Sequence, residues 1–81
     1  MRIRVLPFAR LHDLLHETEV DLDLPDDARA ADAWAALERE TPSLANERSS
    51  TRIAINGHVE PFDAALNDGD EVALLPPVSG G

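Results

Sequence analysis

The sequence predicts an α+β domain in which a sheet of four or five strands packs on one main helix, with a short extra helix after the first strand. Three patterns carry this. Thr18, Val20, Leu22 and Leu24 alternate with Glu19, Asp21 and Asp23, the period-two pattern of a strand with one buried face. Ala30, Ala33, Trp34 and Leu37 recur at i, i+3, i+4 and i+7, which lays an apolar stripe along a helix. Asn56-Gly57 directly follows the strand-like run Arg52-Ile53-Ala54-Ile55, and this dipeptide is the strongest short hairpin signal.

Arg2 to Leu6 alternates so that Ile3 and Val5 face a core, and Pro7 is expected to end regular pairing. Phe8, Leu11, Leu14 and Leu15 fall at helical spacing, which predicts a short amphipathic helix over Phe8 to His16. The acidic face of Thr18 to Leu24 discourages edge-to-edge association. Pro25-Asp26-Asp27 breaks that strand and offers a helix N-cap, with two carboxylates near the positive end of the dipole. The main helix follows over Ala28 to Glu40, anchored by Trp34, and Pro42 ends it by pushing Thr41 out of helical dihedrals.

Ser43 to Thr51 reads as a polar loop with one helical turn near Leu44. Arg52 to Ile55 is a strand, His58-Val59 its return arm, and Pro61 cuts that arm short. Phe62 to Leu66 is a turn with both ends buried, and Asp68-Gly69 is a second turn. Asp70 to Leu75 is the last strand, with Val72 and Leu74 on one face. Residues 1–75 thus form one domain and residues 76–81 a flexible tail.

Eighty-one residues lie near the size at which a single core is just adequate. No run of ~18 apolar residues is present, and Met1-Arg2-Ile3-Arg4-Val5-Leu6-Pro7 is too short and too charged for a secretory signal, so a cytoplasmic protein is expected. Sixteen acidic residues against 7 basic give a formal charge of −9, which repels nucleic acid and anionic membranes and suits a basic protein partner; acidity alone also serves solubility. With no cysteine there is no disulfide, thiolate metal site or thiol nucleophile. All seven basic residues are arginine, so an activated C-terminus would find no lysine on its own kind and only the α-amine of Met1; a proteome bias toward arginine would produce the same composition.

His12 and His16 stand at i, i+4, a spacing used by metal ligands, but both lie on the polar side of their predicted helix and read as a solvated face. His58 follows a hairpin turn and is expected to be exposed. Asp21, Asp23, Asp26 and Asp27 resemble a calcium loop only superficially. Pro25 and Asp26 take the positions that need an oxygen ligand and a glycine, and Asp32 replaces the bidentate glutamate. No phosphate loop or Ser/His/Asp set can be assembled, so no metal site and no intrinsic catalysis are expected.

What remains is the end of the chain, Pro76-Pro77-Val78-Ser79-Gly80-Gly81. Pro76-Pro77 favours the extended polyproline form, and six residues so extended reach roughly 19 Å. Gly80-Gly81 is a terminus without side chains, able to enter a narrow channel, and its carboxylate is unreactive until activated. A frayed end is the alternative. If Val72 and Leu74 face inward, Leu75 points outward where the tail departs, with Phe8 and Val59 placed to lie beside it as a partner site. Alternatively Phe8 completes the core through the first helix.

Three stretches carry a family resemblance. They are Val5-Leu6-Pro7-Phe8-Ala9-Arg10-Leu11, Ile53-Ala54-Ile55-Asn56-Gly57, and Leu66-Asn67-Asp68-Gly69-Asp70-Glu71-Val72-Ala73-Leu74-Leu75-Pro76-Pro77-Val78-Ser79-Gly80-Gly81. Through them the chain resembles, over its whole length, the ubiquitin-like sulfur carrier subunits of molybdopterin synthase. The resemblance implies a β-grasp fold whose first and last strands pair in parallel at the centre of a mixed sheet.

It also implies a non-catalytic subunit of a heterotetramer with the large subunit of molybdopterin synthase, binding no cofactor itself. A ubiquitin-activating-like adenylyltransferase would spend ATP to adenylate Gly81. A desulfurase or rhodanese-type donor would then convert Gly81 to a thiocarboxylate (1-thioglycine), and sulfur would pass to cyclic pyranopterin monophosphate in the large subunit. Phe8, Val59 and Leu75 would be the apolar contacts. The chain departs from the family in Leu75, where an aromatic is common, in Pro7, where an aromatic is frequent, and in Ala30 and Ala33, where larger aliphatics are usual. Three other readings stay open. One is a thiamine-pathway sulfur carrier, typically shorter and without the helix after the first strand or the Pro-Pro pair. The others are a ubiquitin-like modifier joined to lysines through Gly81, and a binding module with a passive tail.

Overall fold

The computed structural model describes residues 1–77. The elements run β1 (Arg2–Pro7), α1 (Arg10–Leu15), β2 (Val20–Asp23), α2 (Ala30–Glu40), a 3-10 segment (Pro42–Ser50), β3 (Arg52–Ile55), β4 (His58–Glu60) and β5 (Glu71–Leu75). One five-stranded sheet has the order β2-β1-β5-β3-β4. Its central strands β1 and β5 are parallel, with Val5 opposite Val72 and Pro7 opposite Leu74, and the other pairings are antiparallel. This is the mixed β-grasp arrangement that the resemblance implies. Among the described residues no helix is long and apolar enough to cross a membrane.

Register sorts the side chains. Ile3, Val5, Ile53, Val72 and Leu74 occupy the inner face and are nearly inaccessible to solvent. They meet the α2 stripe of Ala30, Ala33, Trp34 and Leu37 as the spacing predicts, with Leu11, Leu44 and Leu66 closing the cluster. The small Ala30 and Ala33 leave Trp34 to supply bulk. Its ring meets Phe62 edge-on, centroids 5.9 Å apart, and its indole N–H donates to Glu38 Oε1 at 3.0 Å. Phe62, expected to be buried, is half-buried, and the Arg48 guanidinium covers its ring at 3.4 Å.

Several boundaries differ from the sequence reading, each for a local reason. Pro7 belongs to β1 and is buried. The β2 ladder has already ended at the Val5–Val20 pair, so no acceptor waits for the missing N–H. The first helix covers only Arg10–Leu15, with Phe8 outside it and His16 a left-handed C-cap. The strand expected over Thr18 to Leu24 is limited to Val20–Asp23, the stretch that pairs with Arg2 to Val5.

Pro25-Asp26-Asp27 forms a turn and not the N-cap. The cap is Arg29, whose N–H donates to Asp32 Oδ2 at 2.8 Å, half of a capping box. Ser43 to Thr51 is more ordered than a polar loop, because Leu44 is fully buried and pins the 3-10 segment down. At the other end of the sheet, Asn56 and Gly57 both take positive φ, 51° and 86°, as a type I′ hairpin turn requires. Asn56 has a second role: its amide N–H donates to Asp70 Oδ1 at 2.9 Å and its Oδ1 accepts from Glu71 N at 3.0 Å. Asp70, 8% exposed, also accepts from Asn67 N, so one buried carboxylate ties the hairpin to the loop that leads into β5.

Candidate functional site

The outer face of the sheet carries neither helix nor 3-10 segment from the core cluster, and its register divides it into two parts. Toward the start of β1, Arg2 lies opposite Asp23 and Arg4 opposite both Asp21 and Glu71. Arg2 Nε–H donates to Asp23 Oδ1 at 3.1 Å, and Arg4 Nε stands 3.8 Å from Glu19 Oε2. The hydrogen bond from Arg2, reinforced by its charge, holds the Asp23 carboxyl below the ordinary aspartate range, and the same pair raises Arg2. Both arginines of this part have an acidic partner, and acid is in excess.

Toward the end of β1 the face becomes apolar. Leu6, Ala73 and Ala54 fall in one row across β1, β5 and β3, and Val59 completes it on β4. The two alanines are short, so the row is a shallow trough between Leu6 and Val59. One step further, Leu75 ends β5 half-buried, opposite Arg52. Phe8 follows Pro7, so the register sets it beside Leu75, and its N–H donates to Leu74 O at 3.1 Å. Phe8 is 47% exposed and Val59 64%, and among the described residues these are the large hydrophobics the fold leaves in solvent.

Of the residues singled out in the sequence, Phe8 and Leu75 come together, and Phe8 does not enter the core. Val59 shares their face but stands two strands from β5, roughly 10 Å away. Pro76 and Pro77 are exposed and follow directly on β5, a central strand. Val78, Ser79, Gly80 and Gly81, which carry the proposed chemistry, lie outside the described residues. Leu6, Ala54 and Ala73 were missed as members of the apolar row. Parity was the available sign: each is apolar yet alternates with inward residues of its own strand.

The histidine pair does not share a helical face, since His16 leaves helical geometry at φ 58°. Its N–H caps His12 O at 2.8 Å, while His12 Nδ1 lies 3.6 Å from Asp13. Asp21 and Asp23 are engaged on the sheet face, and Asp26 lies 3.2 Å from the Met1 α-ammonium. Among the described residues no three His, Asp or Glu side chains converge as a metal set.

Comparison with known proteins agrees with this geometry. The ThiS family model matches residues 5–81. A molybdopterin synthase sulfur carrier subunit from Chlamydomonas reinhardtii is 39% identical over 83 aligned positions, covering 100% of both chains. The crystal structure of SAMP1 from Haloferax volcanii superposes with a TM-score of 0.88 at 30% identity, again over 100% of both. A chain in the complex of subunits 1 and 2 of the molybdopterin-converting factor from Helicobacter pylori gives 0.68 at 28%, over 100% of both. The chain therefore belongs to the ThiS family of ubiquitin-like β-grasp proteins, among the sulfur carrier subunits of molybdopterin synthase.

Proposed function

We propose that Gly81 is the working group of this sulfur carrier and that molybdopterin synthase is the assembly in which it works. The observation that supports this most directly is the exit of the tail. Central strand β5 runs out of the sheet at Leu75 into Pro76-Pro77, beside the exposed Phe8. A partner gripping this edge of the outer face receives the following residues, Val78-Ser79-Gly80-Gly81, at a defined place. The complex of subunits 1 and 2 in the Helicobacter pylori relative supports a large subunit as that partner. The apolar row, with Phe8, Val59 and Leu75, is the contact surface, and the assembly is a cytoplasmic heterotetramer.

The chemistry follows from what a carboxylate lacks. An adenylyltransferase joins the Gly81 carboxylate to the AMP portion of ATP and releases pyrophosphate. The terminal sulfur of a persulfide on a desulfurase or rhodanese-type donor then forms the C–S bond as the C–O bond to AMP breaks, and a second thiol cleaves the resulting acyl disulfide, itself ending in a disulfide, to release the thiocarboxylate. The resulting thiocarboxylate is a strong nucleophile where the carboxylate was none. In the large subunit the sulfur passes to cyclic pyranopterin monophosphate and the Gly81 carboxylate is regenerated. The folded body presents the end and performs none of these steps.

The test is the mass of the intact chain from cells that are making molybdenum enzymes. Replacement of one oxygen by sulfur adds about 16 Da to the C-terminal peptide. Only the unmodified mass, found under those conditions, overturns the reading. The likeness to SAMP1, a small archaeal modifier protein, supports a second role in which Gly81 forms isopeptide bonds. Gly81 remnants on lysines of other proteins are its distinguishing product. The presence of α1 and of Pro76-Pro77 favours the molybdenum pathway over the thiamine pathway.

A further inference from the structure

The backbone between β1 and α1 contains a conformation that L-residues avoid. Ala9 sits at φ 53°, ψ −127°. The other non-glycine residues at positive φ, His16 and Asn56, occupy a helix C-cap and a hairpin turn, where that sign is ordinary. Ala9 does not lie in the left-handed helical basin. Its angles are those of the first central residue of a type II′ turn, a position dominated by glycine. The turn is closed by Leu11 N–H donating to Phe8 O at 3.1 Å, and Ala9 O then accepts from Asp13 N at 3.2 Å to open α1.

Strain of this kind persists only where the surroundings hold it. Upstream, Pro7 is buried with a ring-fixed φ, and the Phe8 N–H is bonded to Leu74 O. Downstream, Leu11 is 3% exposed in the core and the Phe8 carbonyl accepts its N–H. Both backbone groups of Phe8 are therefore engaged on rigid elements, while its ring contributes little to folding at 47% exposure. What the turn fixes is the backbone from which an aromatic side chain projects into solvent.

We propose that Ala9 is a positioning residue: its strained turn locks Phe8 in the orientation that docks on the partner gripping the tail. The inference rests on the large-subunit reading above. An aromatic held rigid before binding loses less freedom on docking than one on a flexible linker. With both ends of the turn held, alanine at this position has fewer alternative conformations open to it than glycine would. The strain is the cost of that restriction.

Three chains separate positioning from mere turn-making: wild type, Ala9→Gly, and a chain made by chemical synthesis with D-alanine at residue 9. The D-residue favours the mirror image of an extended L-conformation, so it satisfies φ 53°, ψ −127° without strain and keeps the turn restricted. Binding to the isolated large subunit is measured by calorimetry, melting temperature by circular dichroism, and the order of the Phe8 backbone and ring by NMR relaxation. Ala9→Gly is expected to melt at or above the wild-type temperature yet bind about three- to tenfold more weakly, with a less ordered Phe8. The D-alanine chain is expected to melt higher than wild type and to bind at least as tightly. Equal affinity for all three chains overturns the proposal while leaving the large-subunit reading intact. If wild type itself fails to bind, that reading falls and the role of Ala9 falls with it. If Ala9→Gly fails to fold, a D-alanine chain that melts higher but binds more weakly than wild type still overturns it.

Discussion

The two halves of the outer sheet face are built on the same strands and have the same alternation, yet they meet solvent in opposite ways. Near the start of β1, Arg2 and Arg4 face Asp23, Asp21 and Glu71 on neighbouring strands and Glu19 just before β2. Near its end, Leu6, Ala73, Ala54 and Val59 form an apolar row in which Ala54 is buried, Leu6 and Ala73 half-buried and Val59 exposed, flanked by Phe8 and by Leu75, which lies opposite Arg52. A surface that only had to stay soluble would carry the charged pattern throughout. The apolar half coincides with the departure of the tail from β5, and that coincidence separates a docking surface from an incidental patch.

The largest expected effect concerns the tail. Deletion of Gly81 should abolish sulfur transfer while moving the melting temperature by no more than about 2 °C, because among the described residues the sheet ends at Leu75 and the core cluster is complete by Leu74. A comparable loss of stability would make the end of the chain structural. Next comes the apolar half itself. Leu75→Glu should weaken binding to the large subunit by about a hundredfold without unfolding the chain, since it places a charge beside Phe8 where the tail leaves β5. Unaltered affinity would remove Leu75 from the interface. Val59→Ser, on edge strand β4 and 64% exposed, should cost only about threefold, as expected of a rim position.

How much of this was legible in the sequence depends on which physical effect was local. Period-two alternation and the Ala30/Ala33/Trp34/Leu37 stripe reflect burial, which each element expresses in its own residues, so the strands, α2 and the inner core were readable. Asn56-Gly57 was readable because a type I′ turn is a property of two residues. The N-cap was not: Asp26 and Asp27 are good capping types, but the isolated bridge from Arg29 to Ala65 draws the chain on and starts α2 later. Pro7 was misread because its tolerance depends on where β2 stops pairing, a tertiary fact. The same holds for the half-burial of Phe62 under Arg48 and for the link from Asn56 to Asp70, 14 residues away. At the candidate site, the outward direction of Leu75 was legible from parity, whereas Phe8 was read either beside it or in the core through the first helix, and the exposed position is the one observed. The strain at Ala9 was not, since alanine carries no sign of positive φ.

The smallest effect sharpens the comparison from the charged side. Arg2 and Asp23 are 66% and 75% exposed, so their pairing is screened and contributes little. Its sign is nevertheless fixed. The Asp23 carboxyl titrates lower in the folded chain than in the unfolded one, where it follows ordinary aspartate near about 3.9. The pair therefore stabilises the fold above that value, and its contribution is lost as pH falls through the depressed folded value. Urea midpoints of wild type and Asp23→Asn should differ slightly at neutral pH, converge as the pH falls through the depressed Asp23 value, and differ less in high salt. Identical midpoints at every pH would mean that the pair contributes nothing to stability. Binding of Asp23→Asn to the large subunit should match wild type within about twofold. A larger loss would extend the docking surface across the whole outer face, and the division between a charged half and an apolar one would no longer hold.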